Sequence, residues 1–152
     1  MGVTYVKVGH LTSGLDAAAA EEVKLGLGID EAARILGIEL IIRMAASPDA
    51  PSYFGFTDMA LSFDPEDTEI RDGDDEQFAY LSTDAFVSNT YKNFVSGQQI
   101  YLDYSRLNVI TSRDLAFMVR GSNTMGHGRY VVFYEKYKPS VNDLNQLIAQ
   151  RR

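Results

Sequence analysis

The sequence contains no cysteine and no tryptophan, only four prolines and only two histidines. Without cysteine, neither a disulfide framework nor a thiolate metal site can form, and the redox compartment leaves no trace. The two histidines, His10 and His127, would need carboxylates recruited from elsewhere to hold zinc, and their spacing signals none. No metal and no other cofactor is expected. Long apolar runs are missing too: the longest stretch, ILGIELII, is interrupted by Glu39 and falls far short of the roughly 20 residues a membrane helix requires. The opening MGVTYVKVGHLTSG has no basic segment followed by an apolar one, so no secretory signal is expected. Val6 stands where a myristoylation pattern wants Ser or Thr. A soluble chain without membrane insertion is the expectation. Positive charge is also scarce, with 14 Lys and Arg against 21 Asp and Glu and a net charge of −7. That balance opposes the phosphate neutralisation behind most nucleic-acid affinity, so no direct nucleic-acid contact is expected.

What is present suits one globular unit. A chain of 152 residues removes about 68–70% of its unfolded surface from water, enough for a self-sufficient core. A single β-sandwich domain over 1–152 is therefore expected, with 140–152 as a C-terminal helix. Hydrophobic residues make up 45% and charged ones 23%, and the nine tyrosines and eight phenylalanines lean toward strands.

Period two dominates the chain. Val23, Leu25, Leu27 and Ile29 alternate with Glu22, Lys24, Gly26 and Gly28. Ile38, Leu40, Ile42 and Met44 alternate in the same way, and DEAAR between the two sets reads as a turn or a single helical turn. A helix through LDAAAAEEVKLGLG competes, because four consecutive alanines have the best helix propensity. Gly26 and Gly28 weigh against extending it, so residues 16–20 read as irregular or briefly helical. Further strands are expected at VTYVKV, at Met59, Leu61 and Phe63, and over 77–87, 99–104, 107–110, 115–119 and 129–137, each bounded by turn residues. Two connections, AASPDAPSYFGFT and DPEDTEIRDGDDE, are long and polar. Strands without intervening long helices predict an all-β fold, an antiparallel β-sandwich of jelly-roll type with a short C-terminal α-helix. Val141, Leu144, Leu147 and Ile148 form one helical face, with Ser140 as N-cap and Asp143 three residues on.

Two segments invite a chemical reading. SNTMGHG lies between two alternating strands, DLAFMVRG and GRYVVFYEKY, and supplies Asn and Gly where a hairpin loop must reach positive φ. A phosphate-cradling loop needs a helix after it, and here a strand follows. His127 is accordingly placed at a solvent-facing hairpin tip, where nothing in sequence partners it, and no catalytic residue is expected. The acidic run from Asp64 to Glu76 holds eight carboxylates. It departs from the EF-hand pattern, since a loop starting at Asp67 puts Arg71 at the fifth position. A solvated loop is the default reading, and calcium held by Asp72, Asp74, Asp75 and Glu76 is the alternative.

The alternating LAFMVRGSN and GRYVVFYEKYK running into PSVNDLNQLIAQRR resembles the end of single jelly-roll virion proteins of tailless icosahedral viruses of bacteria and archaea. The resemblance implies a structural capsid subunit, located in the virion and assembled in the host cytoplasm. Its partners would be copies of itself and other virion proteins, and it would have no catalytic site. The chain departs from such proteins in lacking a basic arm. The expected assembly interface is the helix face of Val141, Leu144, Leu147 and Ile148, with Arg151 and Arg152 meeting the acidic surface of a neighbour. A carbohydrate-binding module using loop tyrosines as stacking platforms is the alternative, and a hydrolase using paired carboxylates is third.

Overall fold

In the computed structural model, which describes residues 3–14, 16–45, 53–71, 73–87, 95–122 and 125–150, the period-two pattern becomes nine strands. They are β1 Thr4–Thr12, β2 Ala18–Val23, β3 Ala32–Ala45, β4 Tyr53–Ser62, β5 Gln77–Val87, β6 Val95–Asp103, β7 Ile110–Thr111, β8 Leu115–Ser122 and β9 Met125–Tyr137. A helix, α1 Val141–Gln150, follows. Two antiparallel sheets form, one ordered β1-β9-β3-β6 with β7 added on β3, the other ordered β2-β8-β4-β5.

The pairings nest. β4 pairs β5, β3 pairs β6, β2 pairs β8 and β1 pairs β9, each pair enclosing the one before it in sequence. Two further ladders, β3 with β9 and β4 with β8, weld the folded ribbon into two sheets. This is the jelly-roll arrangement, in which long return connections carry the chain between facing sheets. Its core is filled by alternate residues of both sheets, among them Ile38, Leu40 and Ile42 from β3, Tyr130 and Val132 from β9, and Phe117 and Val119 from β8. Phe117 and Tyr130 meet edge to face, with centroids 4.6 Å apart.

Several local expectations give way to this arrangement. β8 and β9 do not form a hairpin: they lie in different sheets, β8 between β2 and β4, and β9 between β1 and β3. β9 alternates because it puts one face into the core, whereas β8 is buried on both faces from Leu115 to Val119. Gly126 and Gly128 lie within β9 and not in a turn, and neither has positive φ. They are there for space. A Cβ on Gly128 would stand 2.6 Å from Val119 Cγ2 and 3.0 Å from Phe117 Cζ, so the two sheets close over this position.

The alanine run is strand and not helix, since Ala18, Ala19 and Ala20 pair with Arg120, Val119 and Met118 of β8. Tertiary pairing overrides their helix propensity. The ladder then stops at Val23, six residues before Ile29, because Gly26 turns the chain at φ +68°. Leu25 still reaches the core, and side chains hold its backbone: Asp114 Oδ1 accepts from Leu25 N at 2.9 Å, and Tyr134 OH donates to Leu25 O at 2.8 Å. Ile29, past that turn, is fully exposed. The alanines of DEAAR are not a turn either, because Ala32 and Ala33 open β3 and are fully buried. β3 contains a bulge between Ile35 and Gly37, where its partner changes from β7 to β6. The bulge switches the inward set from Ala33 and Ile35 to Ile38, Leu40 and Ile42. Near β7, Leu107 is exposed and closes a turn to Tyr104 O at 2.9 Å, and the strand there is only Ile110–Thr111.

The described residues of the connection, 63–71 and 73–76, do not form a freely solvated loop. They fold across the outer face of the second sheet, where Ile70 packs on Ala60 and Met118 with Ala20 beside them. Ala20, Met118 and Ala60 are partners in one cross-strand row.

Candidate functional site

α1 starts where the sequence predicts. Ser140 Oγ accepts from Asp143 N at 3.3 Å, and Asp143 Oδ2 accepts from Ser140 N at 3.0 Å, a reciprocal capping box. Those contacts hold the Asp143 carboxyl below its usual range, the Ser140 N–H contributing most. The helix lies against the end of its own sandwich. Leu147 is buried with Ala32 and Ile110, and Tyr137 packs against them. Gln146 Nε2 donates to Asn108 O at 2.9 Å. The rest of the apolar face looks outward: Val141 is 73% exposed, Ile148 55% and Leu144 46%. Leu144, Leu147 and Ile148 line an open cavity of about 460 Å³, whose other wall is Ile29, Asp30, Glu31 and Ser112. Exposed Ile29, Leu144 and Ile148 thus rim one concavity, an arrangement that marks interaction surfaces. Arg151 and Arg152 lie outside the described residues.

The acidic connection is organised by its buried members. Ser62 Oγ donates to Asp67 Oδ2 at 2.5 Å, and Asp64 Oδ1 accepts from Glu66 N at 3.0 Å. Carboxylate oxygens of Asp64, Asp67 and Glu76 lie within 4.8 Å of one another. Arg71 approaches Asp67 at 3.9 Å and Asp74 at 3.8 Å, and Arg113 approaches Glu76 at 3.8 Å. Burial pushes the Glu76 carboxyl up, Arg113 pulls it back, and Asp64, Asp67 and Asp74 add to the rise. Of the four residues named for calcium, only Glu76 belongs to this close group, Asp74 and Asp75 do not, and Asp72 lies outside the described residues. A cation entering here would compete with Ser62 for Asp67 and would meet the nearby positive charges of Arg71 and Arg113.

His127 is on β9 and not at a hairpin tip. Its Nδ1 lies 3.0 Å from Thr12 Oγ1, its direct partner on β1. The ladders put Thr12, His127 and Arg43 in one cross-strand row, and His10, Arg129 and Ile41 in the next. All six line a cavity of about 280 Å³ on the outer face of the first sheet. Both histidines and two arginines therefore share one surface, assembled by strand register from residues far apart in sequence.

No family of known proteins matches this chain, and no curated protein does. Solved structures align with it along nearly its whole length at low similarity. Desmodium yellow mottle tymovirus aligns over 93% of this chain and 92% of its own, with 10% identity and a TM-score of 0.37. The decameric BFDV capsid protein aligns over 90% and 99%, with 13% identity and a TM-score of 0.32. A subunit of Bacillus endospore appendages aligns over 91% and 88%, with 11% identity and a TM-score of 0.33. At these scores the likeness carries no argument about what the chain does.

Sequence reading missed two components of these surfaces. Ile29 alternates in sequence with Val23, Leu25 and Leu27 as if on one strand face, although the glycine three residues before it marks where the strand ends. The basic row had no local signal, because His10, Arg43 and the 127–129 segment meet only through the register of three strands. The exposed tyrosines among the described residues, Tyr5, Tyr80 and Tyr101, sit on strands and not in loops.

Proposed function

We propose that this chain is a structural virion subunit that builds a particle shell by self-association, with the apolar end around α1 as its main contact. The observation that carries the reading is the concavity rimmed by exposed Ile29, Leu144 and Ile148. Aliphatic side chains around a cavity match a protein partner. A sugar would instead call for an aromatic plane with converging polar groups, which favours assembly over the carbohydrate-binding alternative. Jelly rolls recur in viral capsid domains, where the rigid sandwich presents faces and ends to neighbours. The finer assignment, to tailless icosahedral viruses of bacteria or archaea, rests on the sequence resemblance. In this reading the protein is not an enzyme, resides in the virion, is assembled in the host cytoplasm, and is joined by copies of itself and other virion proteins.

The test pairs the full chain with the double variant Leu144→Asp, Ile148→Asp, which leaves buried Leu147 in place. Negative-stain microscopy and sedimentation velocity should show large, regular particles for the parent. The variant should remain small, with unchanged far-ultraviolet circular dichroism. A parent that stays monomeric across a wide concentration range, or a variant that assembles like the parent, overturns the proposal.

A further inference from the structure

The chain carries excess negative charge, yet exposed arginines without an ion partner among the described residues gather on the outer face of the first sheet. On the first sheet, Arg43 and Arg129 are exposed and form no ion pair with any described residue. His10 and His127 stand beside them around the same cavity, their ring nitrogens adding further polar contacts. The next row on this face holds exposed Val8 and the half-buried Glu39. On the second sheet, the connection 63–76 is pinned by Ile70 and by the bonds of Asp67 and Asp64. Its buried or half-buried carboxylates are engaged with Arg71 and Arg113. Exposed Glu66, Glu69 and Asp75 form no ion pair among the described residues.

These two surfaces are complementary, and they cannot meet within one molecule because the whole sandwich stands between them. We propose that the basic row of His10, Arg43, His127 and Arg129 docks the acidic connection 63–76 of a second copy of this chain. The inference rests on the assembly reading above and adds a second contact of a different kind. The α1 end supplies apolar area, and this contact supplies direction. Because donor and acceptor surfaces lie on opposite faces, the contact is head to tail, and such contacts propagate or close into rings. The acidic connection is held in shape before docking, so little ordering cost opposes its binding. The contact should weaken as salt rises, since exposed charges are screened beyond about 8 Å at physiological ionic strength.

Charge exchange tests this directly. One full-length variant carries Arg43→Glu and Arg129→Glu. A second carries Glu66→Lys, Glu69→Lys and Asp75→Lys. Every replaced side chain is exposed, so circular dichroism should match the parent in both, and the milder Arg43→Gln, Arg129→Gln variant stands in if the first misfolds. Each variant alone should need roughly tenfold more protein than the parent to assemble. An equimolar mixture should assemble near the parent's concentration, because each variant's reversed surface then meets its opposite on the other. If both variants assemble like the parent while Leu144→Asp, Ile148→Asp does not, this inference fails and the assembly reading stands. If the parent itself never assembles, both fail. If assembly of the parent requires added oligonucleotide and the arginine variant loses that requirement's effect, the basic row faces nucleic acid and the inference is overturned.

Discussion

Replacing Gly128 with alanine probes how closely the two sheets approach. The added Cβ would stand 2.6 Å from Val119 Cγ2, 3.0 Å from Phe117 Cζ and 3.3 Å from Met59 Cε, three atoms of the opposite sheet. Carbon pairs are most favourable at roughly 3.5–4.0 Å, so all three contacts are too short. Val119, Phe117 and Met59 are fully buried and have little room to yield. Overpacking of this kind costs about 1–3 kcal/mol. Against it, alanine restricts the unfolded chain and returns about 0.4–1 kcal/mol where the backbone permits it, as it does here because φ is not positive. The net loss should be about 1–2 kcal/mol, which for a domain of this size lowers Tm by roughly 2–8 °C. Thermal melts at one fixed protein concentration measure it, since self-association would otherwise shift Tm. Gly14→Ala is the control, because its Cβ would meet only Ala17 Cβ at an ordinary 3.6 Å. Should Gly128→Ala melt with or above the parent while Gly14→Ala behaves as expected, close sheet approach is not why glycine stands there.

Two further outcomes follow from the acidic connection. Millimolar calcium, or EDTA, should leave Tm unchanged within about 1 °C, because Ser62 already holds Asp67 and the positive charges of Arg71 and Arg113 lie beside Asp67 and Glu76; a rise of several degrees with calcium would show a real site through binding linkage. Glu76 has its folded pKa raised by burial, so its contribution is fully present below its unfolded pKa and is lost as pH rises through the folded value. Glu76→Gln should therefore gain stability relative to the parent between acid and neutral pH, and paired melts at pH 4 and pH 7 that show the opposite trend would refute the burial argument.

The sandwich and its helix were legible because their signals are local. Alternation marked β3 and β9, a short apolar run marked β8, and Ser140 with Asp143 marked the start of α1. What stayed hidden was which strand lies beside which. β8 and β9 look like a hairpin because both read as strands and few residues separate them, yet an apolar pattern records only burial, not what is bonded to the edge. The alanine run misled in the opposite direction, since its helix propensity is a small preference that pairing with β8 outweighs. The bulge at 35–37 changes the parity of β3 midway, so Ala33 and Ile35 could not be placed with Ile38 and Leu40 by counting in twos. One signal in the acidic run was available: Ile70 is the sole branched aliphatic residue between Asp64 and Glu76, and an isolated isoleucine among carboxylates has a reason to be there.

The nested pairing also imposes an order in time. β4 and β5 are joined by one connection and can zip together early, whereas Thr12 must find His127 across 115 positions of chain. Closing such distant contacts costs chain entropy before they repay it, which places folding in the slow, milliseconds-to-seconds class. While β9 is still unplaced, β1 and β3 both lack a bonding neighbour, and their open edges can recruit other chains. β9, lying between β1 and β3, is the strand that seals the first sheet. Substitutions in β4 or β5 should mainly slow folding, and those along β1 and β9 should mainly hasten unfolding. A chain built this way is slow to reach its native fold, and until β9 is in place its exposed edges can pair with those of other chains.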